Sequence, residues 1–98
     1  MIVSFGDKAT EDLFHNRQTQ RILRYPPEIL RPALQKLDML NSARELRDLS
    51  SPPGNRLELL KGDLKGYCSV RINERWRLVF QWQGAEAHEV RIVDYHRG

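Results

Sequence analysis

The run Asp94-Tyr95-His96 places three titratable side chains on consecutive residues. In an extended strand Asp94 and His96 point to one side and Tyr95 to the other. A histidine exchanges protons near neutral pH, and a neighbouring carboxylate can orient or charge it. By itself a terminal histidine is more often a solvent residue, so the run acquires meaning only from what is brought beside it. Upstream, Leu60-Lys61-Gly62-Asp63-Leu64-Lys65-Gly66 combines two lysines with two glycines just before a strand. Glycine lets backbone approach a ligand closely, and lysine supplies a point charge. A simple hairpin turn fits the same residues. The GxxxxGK[ST] order is absent, so nucleotide hydrolysis has no support.

Charge is unevenly spread. Between Arg56 and Arg77 the cations Arg56, Lys61, Lys65, Arg71, Arg75 and Arg77 face only Glu58, Asp63 and Glu74, while acid gathers at Asp7, Glu11, Asp12 and from Asp38 to Asp48. The whole chain carries +3 with a pI near 9.4, a weak pointer to a polyanionic partner. His15 and His88 have no partner pattern and read as surface residues. The single Cys68 excludes an internal disulfide framework and reads as a small buried hydrophobe; no Cys/His spacing suggests zinc, so no metal is expected.

These groups need a scaffold, and 98 residues allow one domain, 1–98, because two independent cores do not fit in this length. With 40% apolar and 30% charged residues the core is expected to be thin, with no room for a large cofactor; none is expected. Met1 to Phe5 reads as an edge strand or an extended lead-in. Asp7 caps a helix running to about Arg17, with Ala9, Leu13 and Phe14 on its apolar side. Residues 18–25 read as loop. After Tyr25-Pro26-Pro27 the period is helical, with Ile29, Ala33, Leu37 and Leu40 on one stripe and Leu30 and Leu34 beside it. Pro32 is tolerated only in a first turn, so this helix either starts near Leu30 or kinks there, and ends near Ser42. Residues 43–55 form a turn-rich connector with one short helical turn.

Beyond Arg56 the period switches to that of strands. Tyr67 to Ile72, Trp76 to Trp82 and Ala87 to Tyr95 alternate, joined by turns at Asn73-Glu74 and Gln83-Gly84, an antiparallel meander. The fold class is α+β: two N-terminal helices packed on a small antiparallel sheet. If Trp76, Leu78 and Phe80 face the helices, the other face carries Arg77, with Arg71 and Arg91 from its neighbours and Tyr95 at the end. Three guanidinium groups beside an aromatic suit a phosphate backbone. A merely solvated face in a basic protein reads equally well, since a small antiparallel sheet normally exposes one side. The opening Met1-Ile2-Val3-Ser4-Phe5 has no signal-peptide pattern, and nothing approaches the ~20 apolar residues of a membrane span; the cytoplasm, with no membrane partner, is the expected location.

Taken in order, the blocks Leu59 to Asp63, Gly66 to Arg71, Asn73 to Phe80 and Val93 to His96 resemble the HigB family of RelE/ParE-like toxins. The N-terminal Ile2-Val3-Ser4-Phe5, the Pro26-Pro27 helix start and Leu37 to Ala43 also fit, so the resemblance spans essentially the whole chain. It implies a RelE-like fold with helices on a curved sheet, and metal-independent cleavage of mRNA in the ribosomal A site. It also implies a HigA-type helix-turn-helix antitoxin, with operator DNA met only through the antitoxin complex. By matching position, Lys61, Asp94, Tyr95 and His96 fall on residues that the family uses at its active site, and Arg77 on its phosphate-contacting arginine; Arg56, Lys65, Arg71, Arg75 and Arg91 are the expected RNA-binding cations. Some members carry a histidine where this chain has Glu58, which leaves the proton acceptor open between Glu58 and the C-terminal groups. Two other readings fit the same residues: a gyrase-directed toxin of the ParE branch, and a non-catalytic RNA-binding module.

Overall fold

The computed structural model describes residues 1–95. Helix α1 (Lys8–Phe14) starts where the Asp7 carboxylate, in extended backbone, accepts the Thr10 N–H at 2.8 Å, satisfying a donor that the helix cannot pair internally. It ends three residues short of the expected Arg17. Asn16 turns left-handed (φ 57), and the N–H groups of Asn16 and Arg17 return to the carbonyls of Leu13 and Asp12. This is the paired-bond helix ending in which Asn stands in for glycine.

Residues 18–25, read as loop, hold a short 3-10 helix at Gln20–Arg24 whose one buried side chain is Ile22. Helix α2 (Pro27–Ser42) begins before Leu30. Pro27 takes the first helical position, where its fixed φ is pre-set and its missing N–H has no partner to lose. Pro32 therefore sits inside the helix and denies the Glu28 carbonyl its bond. Burial of the expected stripe, Ile29, Ala33, Leu37 and Leu40, carries the helix through. The connector after it forms two further short 3-10 turns, Leu46–Ser50 and Pro53–Asn55.

Strands β1 (Glu58–Leu59), β2 (Tyr67–Arg71), β3 (Trp76–Gln83) and β4 (Glu86–Asp94) form one sheet in that order, each antiparallel to its neighbour. The two-residue β1 lies in the stretch after Arg56 that read as strand-like, just before the Leu60–Gly66 loop. The β3–β4 turn is Gly84-Ala85, one residue later than expected, because Gln83 pairs with Glu86; Gly84 supplies the left-handed φ of 63. A bulge breaks the β3–β4 register between Val79 and Gln81, with Glu89 at φ 54. It puts Ala87 and Val90, three residues apart, on the same buried face, and bends the strand. The opening segment lies parallel along the outer edge of β4 through single bridges, Ile2 to Ala87 and Phe5 to Val90.

The core lies between the helices and one sheet face. Cys68, Val70, Leu78, Phe80, Ala87, Val90 and Ile92 pack against the α2 stripe and against Ala9 and Leu13 of α1. One polar link crosses it: the buried Thr10 hydroxyl accepts the Ile92 N–H at 3.0 Å and shares a hydrogen bond with the Tyr25 hydroxyl. With one face committed to the helices, the register sends Tyr67, Ser69, Arg71, Arg77, Val79, Arg91 and Val93 to the other.

Candidate functional site

The open face is not a bare solvent face. Val79 and Ser69 lie on it yet have no exposure. Adjacent strands set the rows: Glu58 faces Ser69, Ser69 faces Val79, and Val79 faces Arg91. One row along, Arg71 faces Arg77, and Arg77 faces Val93.

Arg77 is the centre of that second row. Its Nη1 donates to the Asn73 carbonyl at 2.6 Å and to the Trp76 carbonyl at 3.3 Å, and its guanidinium stands 5.1 Å from the centroid of the Tyr95 ring. Burial pushes its pKa below the ordinary arginine value; the nearby positive charges of Arg71 and Arg56 act in the same direction, and Glu58 and Tyr95 against it. Arg56, Glu58, Arg71 and Tyr95 are thus within electrostatic reach of one guanidinium. Its Nε is enclosed and has no hydrogen-bond partner among the described residues. Burying a cation beside two like charges is costly unless something negative shares the space.

The turn before β3 holds Arg77 in place. The Asn73 side-chain oxygen accepts the N–H groups of Arg75 and Trp76, both at 2.8 Å, freezing the turn whose carbonyl receives Arg77. Asn73 read only as a turn residue; the signal was an Asn at the head of a hairpin loop, where its side chain mimics a backbone acceptor. Asp94 and Arg75 are drawn off together at the end of the sheet. Arg75 Nε lies 3.0 Å from both carboxylate oxygens and its terminal nitrogen 2.8 Å from one, and the carboxylate raises the arginine pKa. Asp94 and Tyr95 point apart as the strand pattern required, with Tyr95 on the arginine face.

Arg56 arrives from the connector in left-handed backbone (φ 46), just after Asn55. That amide is fully buried: its nitrogen donates to the Leu49 carbonyl at 3.0 Å and approaches the Ser51 carbonyl at 3.3 Å, and its oxygen accepts from Lys36. Nothing in the hydropathy pattern singles out Asn55.

Lys61 lies elsewhere. The Leu60 N–H bonds the Tyr67 carbonyl at 2.9 Å, so the pairing sets Lys61 opposite Gly66, five residues along β2 from Arg71, roughly 17 Å in strand direction. Lys61 and Lys65 are exposed, flanking a 3-10 turn at Gly62–Leu64. Arg91 belongs to a second grouping, its guanidinium 5.4 Å from the centroid of the Tyr67 ring. His96 lies outside the described residues. Among the described residues no three of His, Cys, Asp and Glu come together to hold a metal ion, and no helix is long and apolar enough to cross a membrane.

A family model described as RelE-like toxin of type II toxin–antitoxin system HigB matches residues 3–96. Toxin HigB-1 of Vibrio cholerae serotype O1 is 42% identical over 82 residues, 84% of each chain. Endoribonuclease HigB of Proteus vulgaris is 31% identical over 96 residues, 98% of this chain and all of the relative. Among solved structures, a YoeB–YefM toxin–antitoxin complex from Staphylococcus aureus superposes with a TM-score of 0.60 over 99% of both chains. At 16% identity that likeness speaks for the fold alone, a helical layer on a four-stranded antiparallel sheet.

Proposed function

The chain belongs to the HigB-like family of RelE-like toxins of type II toxin–antitoxin systems, and on that premise we propose that it is an endoribonuclease cutting mRNA in the ribosomal A site. One observation carries the reading: Arg77 is held, partly desolvated, among Arg56, Arg71 and Tyr95, with an enclosed Nε that no described residue pairs. That arrangement is strained for an empty protein surface and suited to a phosphate.

In this reading the RNA supplies its own nucleophile. The 2′-hydroxyl attacks the adjacent phosphorus and the bond to the 5′-oxygen breaks, leaving a 2′,3′-cyclic phosphate and a 5′-hydroxyl. A base must take the 2′ proton, and an acid must return one to the departing oxygen. Arg77 bears the developing charge, fixed in advance by the Asn73 carbonyl, so no reorganisation is needed during the reaction. Lys61, roughly 17 Å along the sheet from the Arg77 row, is out of reach of that phosphate and holds the RNA backbone farther along. Tyr95 and His96 handle protons and position the base, with Glu58 the competing acceptor beside Arg77. Asp94 acts through Arg75, bracing the turn that carries Asn73. Arg56, Arg71, Lys65 and Arg91 grip the backbone. The chemistry is proposed as metal-independent, in one domain spanning 1–98, and in the cytoplasm where ribosomes are. The cognate antitoxin is proposed to be of the HigA helix-turn-helix type, and operator DNA to be met only in its company.

The test adds purified toxin to a cell-free translation reaction on one reporter mRNA, to the same mRNA without ribosomes, and to a gyrase supercoiling assay. Cuts only on the ribosome, with 5′-hydroxyl ends that accept a kinase label directly and with His96→Ala impaired, support the proposal. Intact mRNA with blocked supercoiling replaces it by a gyrase poison. Salt-dependent RNA binding without cleavage reduces it to a binding module.

A further inference from the structure

Arg91 starts on β4 and finishes over an aromatic ring on β2. Its backbone faces Val79 of β3, and its guanidinium lies 5.4 Å from the centre of the Tyr67 ring, so the two side chains, from strands either side of β3, meet over the open face. That contact spans the strand that carries Val79, and both Val79 and Ser69 have no exposure although they lie on the open face. It also has a cost. The Arg91 Nε and the Ser69 hydroxyl oxygen are both enclosed and without hydrogen-bond partners among the described residues, where a surface arginine would normally keep its polar atoms in water. A side chain ordered at that cost presents a flat cation against a flat ring, and nothing in the Arg77 chemistry uses it.

The pair repeats, one step along the sheet, the arrangement of Arg77 and Tyr95. Arg91 faces Val79 where Val93 faces Arg77, a displacement of two residues or roughly 7 Å, comparable to one nucleotide step of an unstacked strand. Aromatic rings and guanidinium planes are the two surfaces on which proteins stack splayed-out bases. Resting on the ribonuclease reading above, the geometry points to Tyr67 and Arg91 as a second nucleotide subsite, which takes the base and phosphate adjoining the cut. An acidic peptide would use the Arg91 charge but has no use for the ring, whereas a nucleotide uses both. The subsite sets affinity and the preference for flanking nucleotides; Arg77 keeps the chemistry.

The measurement is single-turnover cleavage of a defined mRNA held in ribosome complexes, with toxin in excess, giving a half-saturating concentration and a limiting rate. Tyr67→Leu and Arg91→Met are expected to raise the half-saturating concentration about tenfold, the size of losing one stacked base. Their limiting rate stays near wild type, and their preference among cut sites flattens. Tyr67→Phe keeps the ring and behaves as wild type, and being nearly isosteric it serves as the folding control. Variants with wild-type saturation and an unchanged cut map overturn the subsite while leaving the ribonuclease reading intact. A lowered limiting rate at unchanged saturation overturns it too, since the residues would then act on the chemistry. Wild-type protein that leaves the mRNA whole overturns the parent reading, and the subsite with it.

Discussion

Asn55→Ala is expected to be among the most damaging single substitutions outside the apolar core, although no charge or large side chain is removed. The Asn55 amide is fully buried between α2 and the connector. Truncation strips the Leu49 and Ser51 carbonyls of their donor and the Lys36 ammonium of its acceptor. Lys36 is half-buried and can swing to water, so the lasting loss is that of two carbonyls. At ~1–3 kcal/mol for each stranded buried group, tempered by the long 3.3 Å contact to Ser51, the total is about 2–4 kcal/mol. For a domain of this size that lowers the melting temperature by about 10–20 °C. Urea denaturation and thermal melting read it directly. Asn55→Asp separates the causes: it keeps the oxygen for Lys36 but turns a second oxygen toward the two carbonyls, so it is expected to fall at least as far. The reasoning is refuted if Asn55→Asp is as stable as wild type, or if Asn55→Ala stays within about 0.5 kcal/mol of it. Because Arg56 and Glu58 follow closely in the chain, stability and activity are expected to fall together.

Asp12 gives a pH signature. Its enclosed carboxylate accepts from Arg21 at 2.8 Å and Thr19 at 2.7 Å, which hold its pKa down to about 2 against 3.8. A depressed carboxylate pKa contributes stability above the unfolded value and loses it as pH falls through the folded one. Wild type should therefore lose stability between about pH 4 and pH 2 more steeply than Asp12→Asn; parallel profiles would contradict the assignment. Gly6→Ala tests how closely the first segment lies against β4. The new methyl would sit 3.1 Å from the Glu89 carbonyl oxygen and 3.1 Å from Arg91 Cδ, and backbone cannot step aside. A loss of about 1–3 kcal/mol in chemical denaturation is expected, and none would mean that the segment has slack.

The fold was legible wherever one face is buried and the other is not. The α2 stripe and the β2, β3 and β4 alternations follow from period alone, because slipping any of the strands by one residue would bury arginine. The exceptions share a cause: they are decided by hydrogen bonds rather than by hydropathy. The Asn16 helix ending, the two-residue β1 and the Asn55 hub leave no periodic trace; the Glu89 bulge does leave one, the Ala87–Val90 spacing of three within an alternation. Pro32 ran the other way: a local rule asked for a helix start near Leu30 or a kink there, and the helix starts at Pro27 with Ile29 buried. Of the candidate site, strand parity put Arg71, Arg77 and Tyr95 on one face. It could not anticipate that Arg75 is taken up by Asp94, that Lys61 sits at the opposite end from Arg77, or that the Arg91 guanidinium meets the Tyr67 ring. Those depend on where long side chains end, which spacing does not specify.

The most direct test of a phosphate bound at Arg77 is the single-turnover cleavage rate of ribosome-held mRNA by Arg77→Met and Arg77→Lys, each first shown by melting to be folded. Loss of a pre-placed charged donor is expected to lower the limiting rate about 100-fold or more for Met. Lys keeps the charge but not the fork held by Asn73, and is expected to recover part of that rate. A folded Arg77→Met protein that cuts within about threefold of wild type would contradict it.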